Sequence, residues 1–297
     1  MKTFQALFKT MPAVYEANHQ ALAICDDALD VLRAINSNSI HLIFADPPYN
    51  LGKDFGNGRT KMPDSDYVQW CQEWLTECHR ILHPNGTLYF MAATQYMPSL
   101  DVFVSEHYHV LSRIIWTYDS SGVQPRRQFG SLYEPIVMIV KNPNQYTFNA
   151  EAIKIEAKTG AQRKLIDYRK SPPQPYNTQK LPGNVWDFPR VRYRMPEYEN
   201  HPSQKPETLL ERIILASSHE GDFVLDPFGG SFTTGAVAVK NNRLALSADI
   251  NPEYFKIGLR RMSICTKYEG AILERDLVRK TKNKSKKDHA NRKPLFD

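Results

Sequence analysis

The chain has 297 residues, of which 41% are hydrophobic and 24% are charged, as in soluble globular enzymes built as one large domain or one domain with a sizeable insertion. No apolar run approaches the roughly 20 residues that span a bilayer, and the first twenty residues lack a signal peptide's apolar stretch, so we expect a cytoplasmic protein without a membrane partner. The four cysteines show neither metal-ligand spacing nor a dense disulfide pattern, which predicts free thiols and no metal.

The positive charge is concentrated near the C-terminal end. Residues 275–297 contain nine Lys or Arg and three Asp, a surplus of six that equals the whole net charge of +6. Such a segment is either a solvated, disordered end or a sequence-independent electrostatic tether to the phosphates of a nucleic acid.

Short apolar runs alternate with helical patterns in two parts of the chain. The first part predicts strands at 21–25, 41–45 and 87–92, helices around 28–35 and at 67–82, and a hairpin pair of strands at 113–118 and 135–141. The second predicts helices at 208–218, 233–241 and 252–265, with strands at 223–226 and 244–249. This alternation predicts an α/β fold with a doubly wound, mostly parallel sheet.

The middle of the chain, about residues 120–201, is rich in Pro, Tyr, Arg and Asn and has no helical period. A structureless loop of this length is improbable inside a compact core. We therefore expect a small irregular insertion that packs on the sheet.

Asp46-Pro47-Pro48-Tyr49 directly follows the predicted strand 41–45. Ligands of open α/β sheets bind beyond the carboxyl ends of the strands. The two prolines fix φ, so the turn presents an acidic and an aromatic side chain at a set separation. The alternative is a rigid turn in which Asp46 caps the next segment.

The segment 226–231 (DPFGGS) also lies between a strand and a helix. Its glycines allow a ligand to approach the backbone, and the helix N-terminus favours a carboxylate or phosphate. Asp249 ends the next strand, where Rossmann-like sites place an acid for two ribose hydroxyls, although alone it would more often be a helix cap. Together these features indicate a ligand that contains adenosine.

The segment 201–206 (HPSQKP) precedes a leucine-rich helix. A lysine at a helix start opposes the helix dipole, so Lys205 indicates an anionic group nearby, such as the carboxylate of an amino-acid ligand. A solvent-exposed turn is the alternative.

The pairing of DPPY with the glycine-rich turn resembles the methyltransferases that act on exocyclic amines of DNA bases. DPPY comes first and the irregular segment lies between the motifs, an order similar to the circularly permuted β-class, over residues from about 21 to about 262. Segments of the middle region, such as YDSSGVQ and PGNVWDFPRVRY, resemble an orphan adenine methyltransferase of this class.

The resemblance implies the S-adenosylmethionine-dependent methyltransferase fold, circularly permuted, with an inserted DNA-recognition region. It implies S-adenosylmethionine as the cofactor, double-stranded DNA as the partner, N6 of adenine as the target and the nucleoid as the location. It leaves the oligomeric state open, with a homodimer as one alternative. The implied segments are a catalytic half (1–119), a target-recognition insertion (120–200), a cofactor-binding half (201–268) and a basic, disordered tail (269–297).

The family motifs imply two sets of site residues. Catalytic roles fall on Asp46, Pro47, Pro48 and Tyr49. Cofactor-binding roles fall on Asp27, Asp46, Lys205, Asp226, Phe228, Gly229, Gly230, Ser231 and Asp249. Asp46 and the carbonyl of Pro47 would accept hydrogen bonds from the N6 amine and so expose its lone pair for direct in-line transfer. Tyr49 would stack on the target base after its extrusion from the duplex.

Two positions depart from the family pattern. Phe232 stands where a glycine is usual, so it either crowds the cofactor or packs the following helix against the sheet. The acid of the family's strand-end GD pair corresponds to Asp26 or Asp27, and alignment by Ala28 favours Asp27.

The insertion is predicted to contact DNA, since its basic residues interleave with Tyr168, Tyr176, Trp186 and Tyr193. Arginine can bridge guanine edges and aromatic rings can fill the space left by a flipped base, although a single residue here more often contacts phosphate. The predicted DNA-binding residues are Arg126, Arg127, Arg163, Lys164, Arg169, Lys170, Arg190, Arg192 and Arg194.

Three other functions are compatible with parts of this pattern. An N4-cytosine methyltransferase would share the fold and cofactor but more often has Ser in place of Asp46. A methyltransferase for RNA or a protein amide is a second alternative, with NPPY usual for protein glutamine. The third is a DNA-binding protein with a relic catalytic domain, suggested by Phe232 and the basic tail.

Overall fold

The computed structural model describes residues 2–52, 61–119, 126–158 and 163–273. Its main element is a nine-stranded sheet with helices on both faces. The strands of this sheet are β1 (Tyr15–Ala17), β2 (Ala21–Ile24), β3 (Ile40–Ala45), β4 (Leu82–Met91), β5 (His109–Thr117), β6 (Tyr133–Val140), β11 (Val185–Asp187), β12 (Phe223–Asp226) and β13 (Leu244–Ala248).

The spatial order of the sheet is β1-β2-β13-β12-β3-β4-β6-β5-β11. From β2 to β4 the five neighbouring strands are parallel. Strand β6 is antiparallel to β4 and β5, and the edge strand β1 is antiparallel to β2. The apolar runs predicted at 113–118 and 135–141 are therefore confirmed as a hairpin pair on one side of the sheet. The prediction of a doubly wound, mostly parallel α/β sheet is confirmed as well.

Within the described ranges, seven helices accompany the sheet. They are α1 (Lys2–Gln5), α2 (Ala28–Ala34), α3 (Asp64–Ile81), α4 (Met97–His107), α5 (Glu207–Ser217), α6 (Thr233–Lys240) and α7 (Pro252–Arg261). On α3 the buried residues recur three or four positions apart, so one stripe faces the sheet. Helices α2, α3 and α4 contribute to one hydrophobic core, and α5, α6 and α7 to a second.

The segment 120–200 is not separate from the sheet. It contains β6, a central strand, and β11, which pairs in parallel with β5. Its irregular part holds a 3-10 turn (Ala150–Ile153) and four two-residue strands, β7 (Ile155–Glu156), β8 (Ile166–Asp167), β9 (Gln174–Pro175) and β10 (Gln179–Lys180). The boundary predicted at residue 120 thus divides the β5–β6 hairpin of the nine-stranded sheet.

Near the end of the described residues, β14 (Lys267–Tyr268) pairs with β15 (Ala271–Ile272) in a short hairpin, so the first part of the predicted tail has structure. The remainder of that tail, residues 274–297, lies outside the described residues. In the part of the chain that the structure describes, no helix is both long and apolar enough to cross a membrane.

Candidate active site

Four loops follow the carboxyl ends of four neighbouring parallel strands. Asp27 follows β2, Asp249 follows β13, the glycine-rich turn follows β12 and the DPPY segment follows β3. Because these strands are adjacent in the sheet, the loops form one row along the same edge. The two halves of the sequence motif therefore meet in space although about 180 residues separate them in the chain.

A cavity of about 190 Å³ lies along this edge. Every residue predicted to be catalytic or to bind the cofactor lines it, including Asp27. The wall also contains side chains that the motif analysis did not assign, among them Phe44, Trp70, His201, Thr234, Ile250 and Tyr254.

Asp249 lines this cavity and does not cap helix α7. Its Oδ2 accepts a hydrogen bond from the backbone N–H of Gly230 at 2.8 Å, and its Oδ1 accepts one from Asn251 at 2.8 Å. The N-cap is Asn251, whose side chain accepts from the N–H of Glu253. Burial raises the pKa of Asp249 to about 6, and the two backbone hydrogen bonds oppose this rise.

Asp226, at the end of β12, is the second buried carboxylate of the cavity. It accepts hydrogen bonds from Thr234 Oγ1 at 2.6 Å and from the N–H of Phe228 at 3.0 Å. Burial raises the pKa of Asp226 to about 7. Asp27, at the end of the row, also lines the cavity while its side chain caps α2 by accepting from the N–H of Leu29.

The glycine-rich turn is held tightly between the strand ends and the 201–206 segment. Gly230 has a φ of +51°, and a Cβ added there would lie 2.8 Å from Nε2 of His201. Any larger residue at position 230 would therefore both strain the backbone and collide with His201. Burial, and then the charge of Lys205, lowers the pKa of His201 to about 4, so its imidazole is neutral at physiological pH.

Phe232 packs helix α6 and not the cavity. It is the N-cap of α6 in the left-handed conformation, and its side chain is fully buried in the core cluster with α5 and α7. A Cβ added to Gly258 on α7 would lie 2.3 Å from Cδ1 of Phe232. Of the two explanations of this departure from the family pattern, the structure supports helix packing.

A polar cluster joins the DPPY segment to two other parts of the chain. Its members are the side chains of Asp46, Tyr49, Glu134 and Lys205. The Tyr49 hydroxyl lies 2.7 Å from Oδ1 of Asp46 and 3.0 Å from Oε2 of Glu134. Lys205 Nζ lies 2.6 Å from Oδ2 of Asp46 and 3.4 Å from Oε2 of Glu134. The carbonyl of Pro48 accepts from the Tyr67 hydroxyl at 2.8 Å, which anchors the turn to α3.

Opposing effects act on Asp46. Burial raises its pKa, the positive charge of Lys205 lowers it, and the nearby Glu134 raises it, with a net increase. The pKa of Lys205 is raised, because the two carboxylates outweigh the opposing effect of its burial. Lys205 is therefore a cation, and the anionic groups that the structure places beside it are the carboxylates of Asp46 and Glu134. A contact of Lys205 with the carboxylate of a ligand stays a prediction.

Sequence reasoning missed Glu134 and Trp70. Glu134 lies at the start of β6, and because this strand is antiparallel to its neighbours its first residues reach the edge where the parallel strands end. Trp70 lies on α3 with its ring 5.7 Å from that of Phe228. The sequence signals were a glutamate at the start of an apolar strand and a tryptophan beside the buried stripe of a helix. Neither signal predicts that the side chain lies at the candidate active site.

The predicted DNA-binding residues are mostly exposed on the irregular part of the chain. Arg126, Arg127, Arg163, Lys164, Arg169, Arg192 and Arg194 are exposed, while Lys170 and Arg190 are partly buried. Arg169 pairs with Asp167 at 2.8 Å and Arg192 with Asp119 at 2.9 Å. The Arg190 guanidinium lies 4.9 Å from the ring centre of Tyr118, which directly follows β5.

The aromatic side chains of this region divide into exposed and buried sets. Tyr168 and Tyr193 are 79% and 73% exposed, and Phe129, which the sequence analysis did not consider, is fully exposed. Trp186 is buried, so our prediction that it could fill the space of a flipped base is wrong. The reason is that β11 joins the sheet beside β5 and turns this ring inward, where Nε1 donates to the carbonyl of Gly183.

The comparison with known proteins agrees with this geometry. Residues 40–260 match the family model described as DNA methylase, and the chain belongs to this N6/N4 DNA methylase family. It is 54% identical over 270 residues to the DNA adenine methyltransferase YhdJ of Escherichia coli (strain K12), with 91% of this chain and 92% of that protein covered.

Two solved structures have the same fold at low sequence identity. The PvuII DNA methyltransferase (cytosine-N4-specific) is 18% identical with a TM-score of 0.67, covering 93% of this chain and 95% of the other. The complex of M1.HpyAVI with SAM is 21% identical with a TM-score of 0.57, covering 82% and 98%. At these identities the likeness establishes the fold alone.

Proposed function

We propose that this chain transfers a methyl group from S-adenosylmethionine to N6 of adenine in duplex DNA. The observation that carries the proposal is that the DPPY acid and the adenosine-type site share one cavity: Asp46 lines it together with Asp226, the glycine turn and Asp249. The identity to an adenine methyltransferase over 91% of the chain supports adenine as the base.

The cavity suits a ligand that is cationic and rich in hydrogen-bond donors. Asp27, Asp226 and Asp249 offer acceptors along its wall, and Trp70 and Phe228 offer apolar surface between them. A ribose diol and an ammonium group provide such donors, and a sulfonium provides a second positive charge. S-adenosylmethionine has all three groups, so the residues fit it.

Each carboxylate has a position that suggests its share of the cofactor. Asp249, beside the glycine turn, would accept from the ribose hydroxyls. Asp226, next to the DPPY loop through the pairing of β12 and β3, would bind the ammonium group. Asp27, at the far end of the row, would lie beside the adenine. When bound, S-adenosylmethionine supplies an electrophilic methyl group.

The DPPY segment would activate and hold the target amine. The lone pair of an adenine N6 is delocalised into the ring, so the amine is a weak nucleophile. Asp46 accepts one N–H and the Pro47 carbonyl the other, which draws the nitrogen toward a tetrahedral shape. Tyr49 provides a ring for stacking with the extruded base, and Tyr67 keeps the turn rigid through its hydrogen bond to Pro48.

The irregular region would bind the duplex around the extruded base. Its exposed arginines can contact phosphates, and Arg126 and Arg127 lie in the chain between the ends of β5 and β6, at the edge that carries Glu134. With DNA as its substrate, the protein would act at the nucleoid, in the cytoplasm. A homodimer stays a prediction, which light scattering of the protein with and without a duplex would measure.

The test is to identify the methylated product. Purified protein is incubated with S-adenosylmethionine and double-stranded DNA of mixed sequence, and the DNA is then digested to nucleosides and analysed by mass spectrometry. We expect N6-methyladenine. N4-methylcytosine would replace the proposed target with that of the related class, and no methylation of any duplex by a cofactor-binding protein would favour the relic alternative.

A variant connects this product to the site. Asp46→Ala should lower turnover by roughly 10²–10³-fold, the usual contribution of one positioned group at the reacting atoms. Cofactor affinity, measured by calorimetry, should stay within a few-fold. Turnover above about a tenth of the wild-type value would contradict the role given to Asp46.

A further inference from the structure

Glu134 has no function in the direct transfer derived above, although its side chain is only 16% exposed and belongs to the same polar cluster as Asp46. A largely buried carboxylate loses hydration, so a second one beside Asp46 needs a compensating role. Its contacts identify the groups on which that role acts.

Two donors are shared between the two carboxylates. The Tyr49 hydroxyl and Lys205 Nζ are each within 3.4 Å of both Asp46 and Glu134. Both donors are closer to Asp46, at 2.7 and 2.6 Å, so both of its oxygens already accept a hydrogen bond. If Asp46 turns toward a substrate amine, these two donors need another acceptor.

Glu134 is placed to be that acceptor. It pairs with Trp116 in the backbone ladder of β5 and β6 and is therefore fixed by the sheet, whereas Asp46 lies in a loop beyond β3. Two acidic side chains, Asp46 and Glu134, share the single ammonium group of Lys205. One of them can therefore turn away while Lys205 keeps the other as its partner.

We propose that Glu134 is a positioning residue that receives the hydrogen bonds of Lys205 and Tyr49 when Asp46 binds the amine of the target base. This inference rests on the proposed function, because it requires Asp46 to contact that amine. Glu134 itself touches neither substrate nor the reacting atoms.

The test uses Glu134→Gln and Glu134→Asp with saturating cofactor. Glutamine keeps the size of the side chain but removes its charge, so Lys205 should bind Asp46 more tightly. We expect kcat to fall about tenfold or more, less than the 10²–10³-fold loss of a group at the reacting atoms. Aspartate retains the charge, and we expect it to restore part of kcat. Cofactor affinity should stay within a few-fold for both variants.

The pH profile separates positioning from a structural effect. Glu134 raises the pKa of Asp46. Glu134→Gln removes this effect and should therefore move the acidic limb of the kcat/KM profile for DNA to lower pH. Glu134→Asp should keep the limb near the wild-type position. The titratable and charged groups that face this cluster are Asp46, Tyr49, Tyr67, Tyr118, Arg190, His201, Lys205 and Asp226.

A matched control is Glu151→Gln, which neutralises an exposed glutamate paired with Lys154 and should match the wild type. A lower kcat without displacement of the acidic limb, or wild-type kinetics of Glu134→Gln, would overturn the inference. If the wild type itself forms no N6-methyladenine, the proposed function fails first, and this result is distinct from a failure of the variants alone.

Discussion

The hydroxyl of Tyr49 donates a hydrogen bond to Oδ1 of Asp46 at 2.7 Å, three residues earlier in the same turn. The aromatic ring proposed to stack on the base and the carboxylate proposed to bind its amine are thus one connected unit. Lys205 Nζ lies 5.3 Å from the centre of the same ring, so the unit extends to the segment before α5.

The ring and the hydroxyl of Tyr49 can be separated by substitution. Tyr49→Phe keeps the stacking surface and should lower kcat less than about tenfold, since it removes one hydrogen bond of about 1 kcal/mol. Tyr49→Ala removes the ring and should weaken base extrusion by about 1–3 kcal/mol. The fluorescence of 2-aminopurine at the target position measures extrusion. Equal loss of the signal in both variants would assign the effect to the hydroxyl and not to the ring.

Asp249 and Asn251 provide a matched pair two residues apart. Asp249→Asn should weaken cofactor binding, because it removes the buried negative charge and one acceptor from the cavity. Asn251→Ala should reduce stability by about 1 kcal/mol through the loss of the α7 cap, with little change in cofactor affinity. Calorimetry and thermal unfolding measure the two effects. Unchanged cofactor affinity in Asp249→Asn would give Asp249 a purely structural role.

The raised pKa values of the cavity predict a pH-dependent affinity for the cationic cofactor. Asp249, with a pKa of about 6, is ionised above that pH and becomes neutral as the pH falls through it. Lowering the pH from 8 to 5.5 should therefore weaken binding by at least about fourfold, and Asp226, with its pKa of about 7, should increase the effect. Titrations at several pH values test this, and Asp249→Asn should flatten the profile.

The raised pKa values of Asp249 and Asp226 have the opposite effect on the folding stability of the cofactor-free protein. A carboxyl group whose pKa is higher in the folded than in the unfolded state binds its proton more tightly when folded. These two groups consequently favour the folded state most at low pH, and this contribution is lost as the pH rises from about 4 to about 7. For the cofactor, an affinity that does not change between pH 8 and pH 5.5 would contradict the ionisation assigned to Asp249 and Asp226.

The contact between Phe232 and Gly258 predicts a strong coupling between α6 and α7. Gly258→Ala places a methyl group 2.3 Å from Cδ1 of a fully buried ring and should cost about 3 kcal/mol or more of unfolding free energy. Phe232→Ala should cost about 3–5 kcal/mol. The double variant should be more stable than the sum of the single losses predicts, because the new methyl group occupies space left by the ring.

Denaturant unfolding of the wild type, the two single variants and the double variant measures this coupling. A cofactor titration of Phe232→Ala tests separately whether the ring affects the cofactor. We expect that affinity to stay within a few-fold. A clear increase in affinity would instead mean that Phe232 crowds the cofactor. Strictly additive losses would mean that the two residues do not share the same space.

Deletion of residues 275–297, which lie outside the described residues, tests the basic tail. The deletion removes the whole net positive charge, so DNA affinity should fall equally on cognate and scrambled duplexes, with a shallower salt dependence. For every phosphate that the shortened protein no longer neutralises, the slope of log affinity against log salt should fall by about 0.9. Titration at several salt concentrations measures this. Loss on the cognate duplex alone would give the tail a role in recognition, and unchanged curves would make it a solvated end.

Most of the sheet and the row of loops could be predicted from the sequence because both depend on local patterns. Buried parallel strands are apolar runs, and the turn after each strand contains its own Asp, Pro or Gly signal. The edge strands β1 and β11 have three residues each, too few to show a period, and no strand was predicted at either. The orientation of Trp186 was missed for the same reason.

The polar cluster around Asp46 could not be predicted because it depends on long-range pairing. Glu134 lies near Asp46 because β6 is antiparallel to β4. An apolar run in the sequence does not show the direction of the strand that it forms. Similarly, the charge of Lys205 indicated an anion nearby, but local sequence does not distinguish a carboxylate of the protein from one of a ligand. Convergence of residues 46, 134 and 205 is a property of the assembled sheet.

The position of β12 and β13 between β2 and β3 has a consequence for biosynthesis. Strands β2 and β3 lie within the first 45 residues of the chain, but the two strands that lie between them in the sheet are formed by residues 223–226 and 244–248. On the ribosome, the middle of the sheet stays incomplete until these late strands have emerged, and the exposed strand edges are open to wrong pairing meanwhile. The order of the motifs in this chain therefore delays the formation of any cofactor site until synthesis is almost complete.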